Sequence, residues 1–276
     1  MLMGSLEQSL IFAIMVLGVY LAFKILHFPD MTVDGSFPLG AAVSARLLME
    51  GVNPYVTLLL ALFSGALAGA ITGILHSKLK IQDLLTGILV MTALYSVNLR
   101  IMGKSNIPLF EVDTIFHDGY SIVWIILFLL CFVKIILDYI LKTKFGFILR
   151  ALGNNENLVL SLGVYEKRYK TYGLMIANAL TAFSGAILAQ YQGFADIGMG
   201  TGTIVIGLAS IIIGETLFCG KARMKGTTVV IIGSLIYRGI IALSLTVGLN
   251  ASDLKLMTST IVVLVLCLQY YKKRRK

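Results

Sequence analysis

Long apolar runs separated by short polar segments make up almost the whole chain. The runs lie at about 8–27, 36–50, 55–76, 84–102, 119–141, 170–191, 202–218, 227–247 and 254–271. A helix needs roughly 20 apolar residues to cross the hydrocarbon core of a bilayer, and most of the runs reach that length. The pattern predicts one all-α, polytopic membrane domain over 1–276, built from about nine spans.

One segment, 144–163, interrupts the apolar pattern. Its apolar residues follow the helical spacing i, i+3, i+4, i+7: Phe145, Ile148, Leu149 and Leu152. This spacing predicts a short amphipathic helix, which Gly153 would end in a left-handed turn. A turn at 154–157 would then precede a second apolar stretch at 158–162. From the residues alone, the segment is either a docking surface or a linker resting on lipid headgroups.

The charged residues predict the orientation of the chain. Basic residues follow the third, fifth and seventh runs and close the chain: Lys78, Lys80, Lys142, Lys144, Arg150, Lys167, Arg168, Lys170, Lys221, Arg223, Lys225 and 272–276. Acidic residues occupy the opposite loops: Glu50, Glu111, Asp113, Asp118, Asp196 and Asp253. Cytoplasmic loops carry the excess of Lys and Arg, so the N-terminus is predicted outside and the C-terminus inside.

Composition agrees with a membrane protein and excludes other classes. The chain is 58% hydrophobic and 13% charged, whereas soluble domains carry about twice that charged fraction. The net charge of +9 comes from bases at span edges and in the tail, which argues against nucleic acid as a partner. Residues 1–8 lack a basic region and a cleavage site, so the first run is expected to be a retained span.

Two segments predict an inverted repeat. Residues 28–36 and 194–202 share Phe-x-Asp-apolar followed by a stretch rich in Gly, Ser or Thr. Each leads into one of the two shortest runs, and those runs cross the bilayer in opposite directions. Paired short, Gly- or Pro-interrupted segments are typical of repeat halves with a substrate path between them. Two ordinary glycine-rich loops remain the alternative.

No motif for catalysis, metal binding or nucleotide binding is found. The three histidines lie at separate span edges, the three cysteines show no metal spacing, and no His-Glu-x-x-His or Gly-x-Ser-x-Gly occurs. The stretch 214–222 resembles a P-loop but has one residue too many and ends in Ala222. The chain is therefore predicted to be no enzyme and to hold no metal or cofactor of its own.

Polar residues inside apolar runs mark a candidate translocation path, because each costs about 2–3 kcal/mol if it faces lipid. The candidates are Asp34, Gly35, Ser36, Tyr95, Asn98, Asn178 and Gln190. The first three are predicted to lie at a helix interruption inside the membrane, where the N-terminus of a half-helix would meet a carboxylate. Hydrogen bonding between helices is the alternative role for each residue.

Two motifs resemble those of a known family of ABC importer permeases, the branched-chain amino acid and ribose class. The stretch from Thr143-Lys-Phe-Gly146 through Arg150-Ala151-Leu-Gly153-Asn154-Asn155 to Gly163 looks like the family's cytoplasmic coupling segment. Residues 30–36 resemble its Asp-Leu-Ser-Val-Gly-Ser motif, with Asp34 as an extra residue. The resemblance covers the chain end to end and is closest to a subgroup of single-gene permeases found in loci associated with tryptophan or tyrosine.

The resemblance implies a permease that moves a small solute inward, an amino acid and an aromatic one by preference. It implies a homodimer in the bacterial cytoplasmic membrane with a separate ATP-binding cassette subunit that binds the ATP, and an extracytoplasmic substrate-binding protein. The residues it assigns to ATPase coupling are Phe145, Gly146, Arg150, Ala151, Gly153, Asn154, Asn155 and Gly163. A secondary transporter with inverted repeats and a membrane-embedded enzyme are the rival interpretations.

Overall fold

The computed structural model describes residues 2–110, 112–116, 121–218 and 224–246, together with 256, 259–261, 263, 264 and 267. Ten α-helices lie in these ranges: α1 Leu2–Tyr20, α2 Val33–Met49, α3 Pro54–Leu79, α4 Asp83–Met102, α5 Ile122–Lys142, α6 Lys144–Asn154, α7 Glu156–Ser161, α8 Glu166–Gln192, α9 Thr203–Phe218 and α10 Gly226–Thr246. A π-helical turn, Leu21–Ile25, extends α1, and a 3-10 turn, Ile197–Gly200, precedes α9. The all-α prediction is confirmed.

Seven helical segments of the described chain are long and apolar enough to cross a membrane. They contain α1, α3, α4, α5, α8, α9 and α10. The predicted second span corresponds to α2, whose 17 residues extend only about 26 Å. The predicted ninth run at 254–271 lies largely outside the described residues. The bundle is therefore polytopic, with seven candidate spans where the apolar runs predict nine.

Two long helices, α1 and α8, form the centre of the bundle. Both are buried along most of their length, and they pack against each other. Helix α8 also packs against α2 and α3, while α1 packs against α9 and α10. These two helices contribute many of the residues of the main hydrophobic core.

Small residues let the helices around α8 approach closely. A Cβ atom at Gly65, Gly69 or Gly73 of α3 would collide with the backbone of α8. Small residues spaced four apart commonly let membrane helices approach each other in this way. Further along α8, Gly185 lies against the backbone of α2 at Phe37. Helices α2, α3 and α8 therefore form a tightly packed unit.

A two-stranded antiparallel sheet closes one end of the bundle. β1, Asn106–Pro108, follows α4, and β2, Phe194–Asp196, follows α8; Asn106 pairs with Asp196. The backbone N–H of Ile197 donates to the carbonyl of Ser105 at 3.0 Å and extends the pairing. The sheet fixes the start of the 3-10 turn that leads into α9.

Candidate functional site

The helical structure is interrupted between the π-helical turn after α1 and the start of α2, inside the bundle. Residues 26–32 are non-helical, and within them Asp30 is buried. Its carboxylate accepts hydrogen bonds from the backbone N–H of Thr32 at 2.9 Å and from Asn178 Nδ2 at 2.7 Å. Ser36 Oγ donates to Asn178 Oδ1 at 2.8 Å. These bonds satisfy the buried polar groups and attach the break to α8.

The predicted interruption at Asp34, Gly35 and Ser36 is wrong in position. Helix α2 begins at Val33, so the three residues lie in its first turn, and the interruption is 26–32. The backbone N–H groups of Gly35 and Ser36 donate to the carbonyl of Thr32. The side chains of Asp34 and Ser36 find partners on α9 and α8, which leaves the local backbone free to become helical.

Asp34 caps the N-terminus of α9 from a distance of more than 160 residues in sequence. Its carboxylate accepts hydrogen bonds from the backbone N–H of Gly202 at 3.0 Å, from Thr203 Oγ1 at 2.8 Å and from the backbone N–H of Ile204 at 2.8 Å. A negative charge at this position satisfies the free N–H groups of the helix and opposes its dipole. The predicted carboxylate at a half-helix N-terminus is thus a side chain of the protein itself.

A cleft of about 360 Å³ opens between the first turn of α2, the middle of α4 and the segment before α9. Its polar lining includes Asp34, Thr92, Tyr95, Asn98 and Thr201. Asn98 is fully buried, and its Nδ2 donates to the carbonyl of Gly35 at 3.1 Å. That bond fixes the amide orientation, because a flipped amide would oppose two oxygens. Asn98 Oδ1 has no hydrogen-bond partner in the described structure.

The structure brings four of the seven candidate path residues together and separates the other three. Asp34, Gly35, Tyr95 and Asn98 line the cleft. Ser36 and Asn178 bond each other within the bundle. Gln190 lies near the opposite end of α8, where its Nε2 contacts Ser44, the carbonyl of Pro54 and Thr57, and its Oε1 accepts from the N–H of Ile115. The contacts of these three residues are of the inter-helix kind.

Helix α4 exposes a polar stripe beside the cleft. Its exposed polar residues lie within one face of the helix: Thr92, Tyr95, Ser96 and Arg100. The opposite face is buried against α2 through Val90, Leu94 and Asn98. Polar side chains are costly against lipid, so this stripe requires either water or a protein partner.

The segment 144–163 folds as two short helices, α6 and α7, as its spacing predicts. Of the apolar stripe, Leu149 and Leu152 are buried in the protein. Phe145 is half-buried, with its ring centroid 5.7 Å from that of Tyr169. The apolar stripe of α6 therefore packs against the helix bundle of the same chain.

The predicted role of Gly153 as a left-handed helix terminator is wrong. Helix α6 continues to Asn154, and Gly153 does not have a positive φ. A Cβ atom at Gly153 would instead collide with the carbonyl oxygen of Ile25, so close packing demands the glycine. The left-handed glycine of the segment is Gly163, with φ +73°.

The turn predicted at 154–157 contracts to Asn155, the one non-helical residue between α6 and α7. Asn155 Oδ1 accepts from the backbone N–H of Leu158 at 3.1 Å and caps α7. The next residue, Glu156, pairs with Lys170 Nζ of α8 at 2.8 Å. This bond from Lys170 lowers the pKa of the Glu156 carboxyl, which keeps the pair charged and α7 attached to α8.

The eight predicted coupling residues divide into two groups. Four face the bundle or are half-buried: Phe145, Gly146, Ala151 and Gly153. The others are exposed: Arg150, Asn154, Asn155 and Gly163. The segment and the residues just after it also expose large apolar side chains, each 49–73% exposed: Phe147, Leu158, Leu160, Leu162 and Tyr165. We call the exposed residues of 144–165 the coupling platform.

The sequence did not predict that α6 contacts the non-helical segment 26–32, nor which residues are hydrogen-bonded to Asp34. His27 Nδ1 lies 2.5 Å from the carbonyl oxygen of Gly153. Its sequence position, two residues before Pro29 and beside a break, gives no local sign of that contact. The partners of Asp34 are signalled only by the shared pattern of 28–36 and 194–202.

The chain is similar to known transport proteins over nearly its full length. The family model described as "Branched-chain amino acid transport system / permease component" matches residues 1–267. A tyrosine transport system permease protein of Clostridioides difficile is 48% identical, over 95% of this chain and 89% of its own. A ribose import permease protein of Escherichia coli is 27% identical, over 99% of this chain and 86% of its own. No solved structure matches.

Proposed function

The chain belongs to the branched-chain amino acid transport system permease family, and from this premise we propose that it carries an aromatic amino acid inward with power from a separate ATPase. It is a multi-pass permease subunit of an ABC importer in the bacterial cytoplasmic membrane, and its family consists of transport proteins, not enzymes. The observation that carries the proposal is the coupling platform, an exposed and partly apolar surface on two helices docked against the bundle.

The ATPase docks on the coupling platform. The apolar residues Leu149 and Leu152 face the bundle, so they are not available to anchor a linker in lipid. The outward side chains are Phe147 and Arg150 on α6 and Leu158 and Leu162 on α7 or just after it. An apolar patch with a central arginine is typical of a protein interface. The chain's own lack of a P-loop is consistent with an ATP site on this partner.

The bundle is an inverted repeat around α1 and α8. Asp30 and Asp196 hold equivalent positions, and each accepts a hydrogen bond from the backbone N–H two residues on, at 2.9 and 2.7 Å. The turns lead into α2 and α9, the two half-helices. Helix α8 packs against α2 and α3, as α1 packs against α9 and α10, which supports the repeat.

The loop charges support nine spans with the N-terminus outside, the C-terminus inside and the coupling platform in the cytoplasm. The opposite face of the bundle carries Glu50, Asp113 and Asp196 and receives the substrate-binding protein. Glu111 and Asp118 of the same loops lie outside the described residues.

The translocation path lies between two copies of the chain, along the polar stripe of α4. A two-fold partner would cover Tyr95 and Arg100, which single-chain packing leaves exposed. The cleft beside the stripe is lined by Asp34 and by Tyr95. The negative charge of Asp34 suits the ammonium group of an amino acid, and the ring of Tyr95 suits an aromatic side chain. The name of the relative from C. difficile favours tyrosine.

Photo-cross-linking in intact cells tests docking and orientation together. A photoreactive phenylalanine analogue at position 147, 68% exposed on the platform, is expected to cross-link the cytoplasmic ATPase. The control is the same analogue at position 128, which is 70% exposed on α5 and should label lipid only. Labelling of lipid alone from position 147 would contradict the docking proposal. Labelling of an extracytoplasmic protein from that position would reverse the orientation.

A further inference from the structure

His27 holds a backbone conformation that residues with a side chain rarely adopt. Its φ is +53°, and apart from Lys80 it is the one non-glycine residue with positive φ in the described ranges. It follows the π-helical turn Leu21–Ile25 and precedes the buried residue Phe28. Strained residues and π-helical turns persist where surrounding contacts hold them, and they concentrate at functional sites.

The contact that holds His27 is with the coupling segment. His27 Nδ1 lies 2.5 Å from the carbonyl oxygen of Gly153, and because a carbonyl only accepts, the proton is on Nδ1. On the other side, Gly153 packs so closely on the carbonyl of Ile25 that no side chain fits between them. Helix α6 is thus attached to the break between α1 and α2 by one directed hydrogen bond and one backbone contact.

From His27 the chain leads directly to the cleft. Phe28 is buried against the ring of His76, with 5.1 Å between centroids. Asp30 is bonded to Thr32 and to Asn178 of α8. Asp34, seven positions after His27, lines the cleft and caps α9. Every polar side chain named along this route is hydrogen-bonded. A displacement of His27 is therefore expected to move the residues that follow it, because their hydrogen bonds limit independent movement.

We propose that His27 is the positioning residue that transmits movement of the coupling segment through 28–34 to the half-helix termini at the cleft. The proposal rests on the docking of the ATPase described above. Movement of α6 would pull or push the break through the bond between His27 and Gly153. Asp34 would then shift relative to the N-terminus of α9 and change access to the cleft.

The test compares His27→Asn with His27→Gly in the complex of permease and ATPase. Asn tolerates positive φ and keeps a donor near the position of Nδ1, whereas Gly tolerates it without a donor. Neither variant can fail through backbone strain. The reporter is Tyr95→Cys, placed in a chain whose three natural cysteines are replaced by serine, and its rate of labelling by a maleimide is measured with and without ATP.

We expect ATP to change the labelling rate in the parent and in His27→Asn. In His27→Gly that change should fall about fivefold or more, the equivalent of one lost hydrogen bond. The ATPase should co-purify with all three proteins. An undiminished response to ATP in His27→Gly would overturn the proposal, as would loss of the ATPase from that variant alone, which would make His27 a docking support. Failure of the parent itself to retain the ATPase would refute the proposed docking.

Discussion

The double substitution Phe147→Asp with Arg150→Glu is expected to abolish ATPase binding while leaving the permease folded. Both side chains are exposed on α6, so the change costs the bundle little. Arg150 is available for charge-assisted hydrogen bonds, and Phe147 for insertion into a pocket of the partner. Truncation of one interface hot spot costs about 2 kcal/mol or more, so even if only one of the two side chains is a hot spot, ATPase affinity should fall about 30-fold.

The measurement is co-purification of the ATPase in detergent, with ATP-driven uptake recorded in parallel. Lys104→Glu, an exposed charge reversal beyond the other end of α4, is the matched control and should retain both properties. If the double variant keeps the ATPase at the parental ratio, the coupling platform is not the docking surface. Gly153→Asp is unsuitable for this purpose, because its side chain would collide with Ile25 and displace α6 from the bundle.

Replacing Asp34 by Ala is expected to destabilise the fold and to stop transport. The substitution leaves the N–H groups of Gly202 and Ile204 without their acceptor, at the start of a helix inside the bundle. The hydroxyl of Thr203 can still donate to the carbonyl of Gly200 at 3.1 Å. Loss of a helix cap costs about 1 kcal/mol, and each buried donor left without a partner about 1–3 kcal/mol. We therefore expect a loss of about 3 kcal/mol in unfolding free energy, together with a misplaced α9 at the cleft.

Thermal unfolding in detergent and uptake in vesicles together test this role. The control is Gln82→Ala, at the exposed N-cap position of α4, where the side chain caps no backbone N–H; it should change neither property. Parental thermal stability and parental uptake in Asp34→Ala would show that α9 needs no cap from α2. If Asp34→Ala keeps the parental thermal stability but loses uptake, Asp34 acts in the translocation path and not as a stabilising helix cap.

Local pattern predicted those parts of the fold that depend on neighbours in sequence. Apolar runs gave the helices, and the spacing of Leu149 and Leu152 identified the buried face of α6. Each of these depends on residues within a few turns of one another.

The site depends on contacts that no local pattern contains. The bond between His27 and Gly153 joins residues 126 positions apart, and that between Asp34 and Gly202 spans 168. Gly153 is required by packing against Ile25, although in sequence it looks like a helix terminator. The structure uses the polar side chains of Ser36, Asn178 and Gln190 for hydrogen bonds between helices. Residue type alone does not distinguish such residues from residues that line a cleft.

Uptake of labelled tyrosine into proteoliposomes that contain the permease, the ATPase and the binding protein tests the central claim most directly. Uptake is expected only when all three proteins and hydrolysable ATP are present, with the ATP on the side of the coupling platform. It should not respond to an imposed proton or sodium gradient. Uptake by the permease alone, driven by such a gradient without ATP, would contradict the account and identify a secondary transporter.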